Sequence, residues 1–315
     1  MSKPLLFITG FLGAGKTTLL RALLNEFNRR GKTADVILND YENADIDAST
    51  LPESSASIFP LAASCACCDS LDDLVKLCLA AQKSEGDALI IELNGTADPL
   101  PLLETFTLLE EKMPFSPRWQ VGIVDARYWE KREAFGALQV RQVETATHWM
   151  LTHAEGLTTD ETEKITESVE VTNPYAVRVD AARLADELAA AEDVNTKRVH
   201  GSQSHEHGSN SIHDHEHALS HRFTGCQIPL PGRYRVEQMI RFMESLPDEV
   251  VRAKALVKLS EEPGPRWLFE RTGRHPVEQP VKVDSLRKVS ASLVCIGPGL
   301  NPSALREMVM NSFGV

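Results

Sequence analysis

The sequence lacks a hydrophobic run long enough to cross a membrane, and it has fewer basic than acidic residues. No apolar stretch approaches the roughly 20 residues that a transmembrane helix needs, so no membrane partner is expected. The chain holds 33 lysine and arginine residues against 45 aspartate and glutamate residues, a formal net charge of −12. Because proteins bind nucleic acids by neutralising phosphates with basic side chains, this balance argues against a nucleic-acid partner.

Cysteine is also scarce, with six residues in 315, and three of them lie in the short segment SCACC. Six cysteines spread in this way do not make the framework of a disulfide-stabilised secreted domain. The N-terminal segment MSKPLLFITG has a single lysine and leads into glycines, so we expect a first strand there and not a signal peptide. A cytoplasmic location with reduced thiols is therefore expected.

Chain length and the distribution of histidine predict two domains joined by a linker. A chain of 315 residues, 42% of them hydrophobic, is long enough to bury more than one core. The stretch 195–222 has no apolar periodicity and holds seven of the ten histidines among glycine, serine and asparagine. We expect domains at 1–194 and 223–315, with a flexible linker at 195–222.

A glycine-rich segment, GFLGAGKTT at residues 10–18, connects the first predicted strand to a predicted helix that stops at Gly31. A strand, a G-x-x-x-x-G-K-T motif and a helix in this order bind nucleotide phosphates in P-loop proteins. Backbone N–H groups would face phosphate oxygens, Lys16 would reach the β- and γ-phosphates, and the Thr17 hydroxyl would bind Mg²⁺. The predicted phosphate-binding residues are Gly10, Gly13, Ala14, Gly15, Lys16, Thr17 and Thr18.

Apolar runs that alternate with helical stretches predict the fold class. This alternation favours an α/β fold in which a P-loop NTPase domain contains a mostly parallel sheet. The further predicted strands are 34–40, 88–95, 119–126 and 146–152, and the predicted helices include 71–84 and 139–144. Glu92 follows a buried apolar run, which is where a P-loop protein holds its second Mg²⁺ contact.

The second predicted domain, 223–315, mixes helices and strands. Its helices are predicted at 233–246 and 301–313, and strand-like runs occur at 249–259, 266–273 and 290–299. Helices and strands over such a short length predict a smaller C-terminal α+β domain. Asn301 is expected to cap the last helix, in which Pro302 occupies the first turn.

The thiols of SCACC, which are Cys65, Cys67 and Cys68, have two functional interpretations. A disulfide between such close neighbours would strain the backbone and leave one sulfur over. Thiolates bind zinc and similar ions, whereas closely spaced thiols also form redox pairs. Metal binding is favoured, but the residues alone leave redox use open. The other cysteines, Cys78, Cys226 and Cys295, stand singly in apolar or mixed runs and are expected to be ordinary buried small side chains.

Taken together, GFLGAGKTT, the ND before the pair Ile46–Asp47, the C-x-C-C run and IIELNGTADP resemble the CobW family of metal-handling P-loop GTPases. The stretches 250–259 and 293–309 are similar to the C-terminal domain of that family, and a histidine-rich linker is also typical of it. The resemblance implies that the three clustered cysteines bind a transition metal, zinc or else cobalt or nickel. It also implies that Gly95 belongs to the nucleotide site and that Asp40 lies in the switch segment.

With this resemblance the predicted chemistry is hydrolysis of GTP to GDP with Mg²⁺ bound. Lys16, Asp40 and Glu92 are the predicted catalytic residues, and Thr17, Asp40 and Glu92 are the predicted Mg²⁺ ligands. Hydrolysis is expected to be slow because no arginine finger or water-positioning glutamine is evident in the sequence.

The sequence departs from the family pattern in the segment that recognises the base of the nucleotide. The usual N-K-x-D is replaced by THAE at 152–155. Glu155 keeps a carboxylate that can pair with guanine, His153 can stack on the base, and Thr152 replaces an amide that should tie this loop to the glycine loop. We expect these three residues to belong to the nucleotide-binding site, with GTP favoured over ATP or a relaxed preference.

The resulting interpretation is a cytoplasmic metallochaperone whose nucleotide controls delivery of a metal ion to an unidentified client metalloprotein. A weak accessory metal site is predicted in the linker, at His205, His207, His213, His215 and His217. The alternatives are a nucleotide-switched metal or redox sensor, an activator of one metalloenzyme and a small-molecule kinase. The metal, the client and the oligomeric state are left open by the sequence.

Overall fold

The computed structural model describes residues 3–38, 57–60, 69–131, 135–200, 223–262, 264–273, 277, 279–283, 290–298 and 300–314. The chain divides into two compact units. The N-terminal unit comprises Met1–Pro99 and Glu110–Arg222, and the C-terminal unit comprises Leu100–Leu109 and Phe223–Val315. One segment from the first half of the chain therefore belongs to the C-terminal unit. No helix in the described ranges is long and apolar enough to span a membrane.

The N-terminal unit is built on a seven-stranded sheet in which every described pairing is parallel. Its strands are β1 (Leu5–Gly10), β2 (Ala34–Leu38), β3 (Ser57–Pro60), β4 (Ala88–Glu92), β5 (Arg118–Asp125), β6 (His148–Thr152) and β7 (Val177–Arg178). Their order in the sheet is β3-β2-β4-β1-β5-β6-β7. Strand β1 therefore ends between β4 and β5, which brings the ends of these strands to one edge of the sheet.

Helices connect these strands. They are α1 (Lys16–Arg29), α2 (Asp69–Ala81), α3 (Pro99–Leu108), α4 (Gly136–Glu144), α5 (Thr159–Thr172) and α6 (Ala181–His200). All of them except α3, which falls almost entirely in the C-terminal unit, belong to the N-terminal unit. The α1 side chains Leu20, Leu23 and Phe27 pack in one core cluster with Leu184 and Leu188 of α6. Strands β1 and β4 at the centre of this sheet are buried along their whole length, as expected of a parallel sheet that helices cover on both faces.

The predicted α/β class of this unit is confirmed, and its central strands lie where the apolar runs predict them. Three helices (α3, α5 and α6) and two strands (β3 and β7) are not predicted. The two strands are too short, at four and two residues, for a periodic pattern. Helix α6 continues to His200, beyond residue 194 where the predicted linker begins.

The C-terminal unit contains a second sheet, which is mainly antiparallel. Its strands are β8 (Phe223–Pro229), β9 (Arg233–Tyr234), β10 (Arg252–Leu259), β11 (Arg266–Thr272), β12 (Val281–Val283) and β13 (Ser292–Pro298), in the order β12-β11-β10-β13-β8 with β9 parallel to β10. Helices α7 (Val236–Glu244) and α8 (Pro302–Phe313) complete the predicted α+β unit. Asn301 caps α8 as predicted, accepting from the N–H groups of Ser303 at 3.0 Å and Ala304 at 3.1 Å.

A buried guanidinium fixes the end of α7. Arg271 on β11 is 3% exposed, and burial lowers its pKa. Its N–H groups donate to the backbone carbonyls of Met243, Leu246, Pro247, Val250 and Gly273 at 2.8–3.2 Å. Arg271 therefore satisfies carbonyl groups that α7 and the following turn leave without intrahelical partners.

The three remaining cysteines are free and buried, as expected, and two of them face each other on neighbouring strands. Cys226 on β8 and Cys295 on β13 are directly opposite in the antiparallel register, and both are buried. The hydrogen bond with Cys226, followed by burial, raises the pKa of Cys295 well above its usual value. Burial raises the pKa of Cys78 to about 12. Cys295 and Cys78 are consequently poor nucleophiles and poor metal ligands in the folded protein.

Candidate functional site

The glycine loop curls between the end of β1 and the start of α1. Gly10, Gly13 and Gly15 have φ angles of 143°, 76° and 98°, a region that favours glycine. Gly15 is the N-cap of α1, so the positive end of the helix dipole faces the loop. Lys16 is buried, and its Nζ donates to the Phe11 carbonyl at 3.4 Å. A loop, a helix N-terminus and a cation in this arrangement form an anion-binding site.

Two oxygen-bearing side chains meet beside this loop. Thr17 Oγ1 donates to Glu92 Oε1 at 2.9 Å, and Glu92, the last residue of β4, is only 4% exposed. Magnesium binds oxygen ligands at about 2.0–2.1 Å in octahedral geometry, so adjacent ligands lie about 2.9 Å apart. The hydroxyl and the carboxylate therefore fit two neighbouring positions in a Mg²⁺ shell.

The loop that follows β4 is held against the glycine loop. A Cβ atom on Gly95 would lie 2.6 Å from the backbone nitrogen of Leu12, so a side chain at Gly95 would displace one of the two loops. Gln142 Nε2 donates to the carbonyls of Gly95 at 3.3 Å and Ala97 at 3.2 Å. The glycine of the ELNG motif is thus required by its close approach to the glycine loop.

The first two residues of THAE contact the glycine loop directly. Thr152 Oγ1 donates to the Ala14 carbonyl at 2.8 Å and also lies 3.2 Å from the Val124 carbonyl. His153, with φ of 54°, has its Nε2 at 3.1 Å from the Gly13 carbonyl, so this nitrogen carries the proton. Thr152 thereby makes a link to the loop of the kind expected of the amide it replaces. Glu155 is exposed.

An acid–base pair at the end of β5 is absent from the sequence-based set of site residues. Asp125 is 3% exposed, and Arg127 donates to it through Nε at 3.0 Å and Nη2 at 2.8 Å. Burial acts to raise the pKa of Asp125, but the hydrogen bonds and charge of Arg127, with the charge of His153, hold that pKa below its usual value. Asp125 also pairs in register with Thr152. The available signal was an acid at a strand end with an arginine two residues later.

Comparison with known proteins identifies the family. The model of the CobW/HypB/UreG nucleotide-binding domain matches residues 4–180, and that of the cobalamin synthesis protein CobW C-terminal domain matches residues 223–312. The chain belongs to the CobW/HypB/UreG family. The family resemblance of the sequence motifs is thereby confirmed, and the CobW motif GFLGAGKTT is the glycine loop described above.

This CobW-family chain is similar to parts of several known proteins. It is 33% identical over 134 residues to the zinc chaperone CobW of Pseudomonas aeruginosa. This match covers 39% of this chain and 35% of that protein. It is 35% identical over 118 residues to the zinc-regulated GTPase metalloprotein activator 1 of Dictyostelium discoideum, 33% of this chain and 24% of that protein. The chain thus matches about a third or less of the length of these relatives. The Zn(II)-bound YjiA GTPase from E. coli is a structural neighbour at 22% identity and TM-score 0.44, covering 99% of each chain.

Several predicted site residues of this CobW-family chain lie outside the described residues. They are Asp40, Cys65, Cys67, Cys68, His205, His207, His213, His215 and His217. In the part of the chain that the structure describes, no three histidine, cysteine or acidic side chains are grouped to hold a metal ion. Thr18 is exposed on the first turn of α1, and Ala14 is buried in the loop.

Proposed function

We propose that this chain is a metal-binding GTPase of the cytoplasm, a nucleotide-gated chaperone that delivers zinc to a client metalloprotein. The observation that carries the proposal is the 2.9 Å contact of Thr17 with the buried Glu92 beside the glycine loop. Membership of the CobW/HypB/UreG family supports it, and so do relatives named as zinc chaperone and zinc-regulated GTPase activator. Cobalt and nickel are the alternative cargoes.

The glycine loop and α1 would bind the phosphates of GTP or GDP. Loop N–H groups and the helix dipole attract phosphate oxygens, and the Lys16 ammonium would move from the Phe11 carbonyl to the β- and γ-phosphates. Thr17 and Glu92 would hold Mg²⁺, with Asp40 as a further ligand from the switch segment. A bound Mg²⁺ neutralises the charge that develops on the phosphate oxygens during hydrolysis.

The THAE segment would bind the base. Thr152 and His153 hold this segment on the glycine loop through the carbonyls of Ala14 and Gly13, and Glu155 follows His153 two residues later. We propose that Glu155 accepts from the N1–H and amino groups of guanine. A carboxylate in this role discriminates against adenine, because adenine would leave it unsatisfied.

The cargo metal would be held by Cys65, Cys67 and Cys68, which lie in sequence between the strands that end at Leu38 and Glu92. GTP would order the switch segment and complete the thiolate site, and slow hydrolysis would release it. The histidines of the linker would supply weak accessory binding.

A pair of glutamine variants tests the nucleotide part of this proposal. Glu92→Gln removes the charge at the Mg²⁺ position, so Mg²⁺-dependent GTP hydrolysis should fall by at least a hundredfold, as measured by phosphate release. The control is Glu85→Gln, which changes an exposed acid before β4 and should leave hydrolysis unchanged. Equal hydrolysis by the wild type and Glu92→Gln would contradict the assignment of Glu92.

A further inference from the structure

Helix α3 follows the loop that carries Gly95 and belongs to the C-terminal unit. The chain runs from Glu92 through Gly95 directly into this helix, Pro99–Leu108. Yet Leu100–Leu109 belongs to the C-terminal unit, whereas the residues before and after it belong to the N-terminal unit. The sequence-based division at 194 places the whole helix in the first domain. The chain therefore contains one helix that belongs to the unit of the second sheet but begins just after the loop that carries Gly95.

The contacts of α3 within the C-terminal unit are charged and close. Glu104 Oε2 lies 2.7 Å from Lys254 Nζ, and Glu104 Oε1 lies 2.7 Å from Arg252 Nε, both on β10. Glu270 on β11 completes the cluster at 2.9 Å from Arg252 Nη2. All four side chains are at least partly buried, so solvent screens these pairs less than it screens surface ion pairs.

A glycine allows the helix to approach the sheet closely. A Cβ atom on Gly225 of β8 would lie 1.7 Å from Thr107 Oγ1. No side chain fits between this strand and the helix, so their backbones are near each other. Together with the Glu104 ion pairs, this contact makes α3 and the sheet one packed body.

The residues just before and just after α3 form ion pairs within the N-terminal unit. Asp98, just before the helix, pairs with Arg141 of α4 at 2.7 Å. Glu110, just after it, pairs with Arg118 of β5 at 3.0 Å. Helix α3 is thus tied to the N-terminal unit on both sides, and the Gly95 loop, which approaches the glycine loop at Leu12, directly precedes it.

We propose that helix α3 couples the nucleotide state of the N-terminal unit to the C-terminal sheet, with Glu104 as the coupling residue. The inference rests on the proposed GTP cycle. The coupling runs along the covalent chain: Mg²⁺ and the γ-phosphate act at Thr17 and Glu92, the loop that carries Gly95 shifts, and α3 transmits the shift to β10 and β11. Such coupling requires that the contacts of α3 differ in free energy between the GTP and GDP states.

Hydrogen exchange measured by mass spectrometry on the full chain tests the proposal. The wild type is compared with Mg²⁺ plus a non-hydrolysable GTP analogue and with Mg²⁺ plus GDP. Peptides from the glycine loop report nucleotide binding, and peptides covering β10 and β11 report the C-terminal response. We expect exchange rates in β10 and β11 to differ at least twofold between the two nucleotides.

Two variants separate coupling through the helix from general stability of the cluster. Glu104→Gln removes both helix–sheet ion pairs and should abolish the difference in β10 and β11 while the glycine-loop response remains. Glu270→Gln removes a carboxylate from the same cluster but leaves α3 attached, so it should keep both responses. If Glu104→Gln does not fold, Lys254→Met, which removes one of the two pairs, should reduce the difference by about half.

Three outcomes would overturn the proposal. If exchange in the glycine loop of the wild type differs between the two nucleotides but exchange in β10 and β11 does not, the nucleotide site and the C-terminal sheet are not coupled. If the difference in exchange of β10 and β11 persists in Glu104→Gln, the route through α3 is excluded. The same conclusion holds if Lys254→Met is used instead and the difference is undiminished. A glycine loop that responds to neither nucleotide refutes the proposed GTPase itself, and with it the coupling.

Discussion

The hydroxyl of Thr152 is predicted to support nucleotide affinity, and Thr152→Val tests this with almost no change in shape. The substitution removes the hydrogen bond of 2.8 Å to the Ala14 carbonyl and keeps both branches at Cβ. A neutral hydrogen bond contributes about 0.5–1.5 kcal/mol, and about 1.4 kcal/mol corresponds to a tenfold change in a binding constant. If the bond holds the glycine loop in its binding conformation, the affinity for GDP should fall about two- to twelvefold.

The assay for Thr152→Val is titration with a fluorescent GDP analogue, with stopped-flow measurement of the dissociation rate. The matched control is Thr172→Val, because Thr172 Oγ1 also donates to a backbone carbonyl, that of Ser168 at 2.9 Å, but within helix α5. Thr152→Asn, which restores an amide, should retain affinity closer to that of the wild type. GDP affinity unchanged in Thr152→Val, or lowered equally in both valine variants, would refute the reasoning.

Three further predictions follow from single contacts. Arg271→Met removes the buried guanidinium that donates to five carbonyls and should destabilise the protein by more than about 3 kcal/mol in urea unfolding; a loss below about 1 kcal/mol would contradict this. Gly95→Ala should weaken GDP binding at least tenfold because its Cβ would lie 2.6 Å from a backbone nitrogen, while Gly136→Ala, whose Cβ meets nothing within 4 Å, should not. The pKa of Asp125 is depressed in the folded state, so its stabilising contribution is complete above its unfolded pKa of about 3.9 and is lost as pH falls through the folded value. Arg127→Gln should raise that pKa and move acid unfolding, followed by circular dichroism, to higher pH; an unchanged midpoint would argue against the pair.

The nucleotide part of the fold follows from local sequence signals. The strand, the glycine loop and helix α1 are adjacent in the chain, so their pattern predicts the arrangement of Gly10–Lys16 without knowledge of distant contacts. The position of Glu92 at the end of β4 follows from the same logic, because the end of a buried strand has a fixed place in a parallel sheet. The helix α8 and its Asn301 cap are also local features and were predicted correctly.

Features that depend on register or long-range packing could not be predicted in this way. The segment PLPLLETFTL is apolar nearly throughout, so its periodicity does not show that α3 packs on the C-terminal sheet. The link from Thr152 to Ala14 and the pairing of Cys226 with Cys295 each require knowledge of which strands are neighbours. Arg271 appears as an ordinary strand cation in the sequence, although its partners lie on α7 and the turns around it.

The central claim is that nucleotide controls metal affinity, and zinc competition against a coloured chelator tests it most directly. The titration is run with Mg²⁺ plus a non-hydrolysable GTP analogue, with Mg²⁺ plus GDP, and again with Cys65, Cys67 and Cys68 all changed to serine. We predict that the analogue tightens zinc binding at least tenfold over GDP and that the serine variant loses this difference. Equal zinc affinity with either nucleotide would contradict the account, because a ligand that does not distinguish two states cannot shift the equilibrium between them.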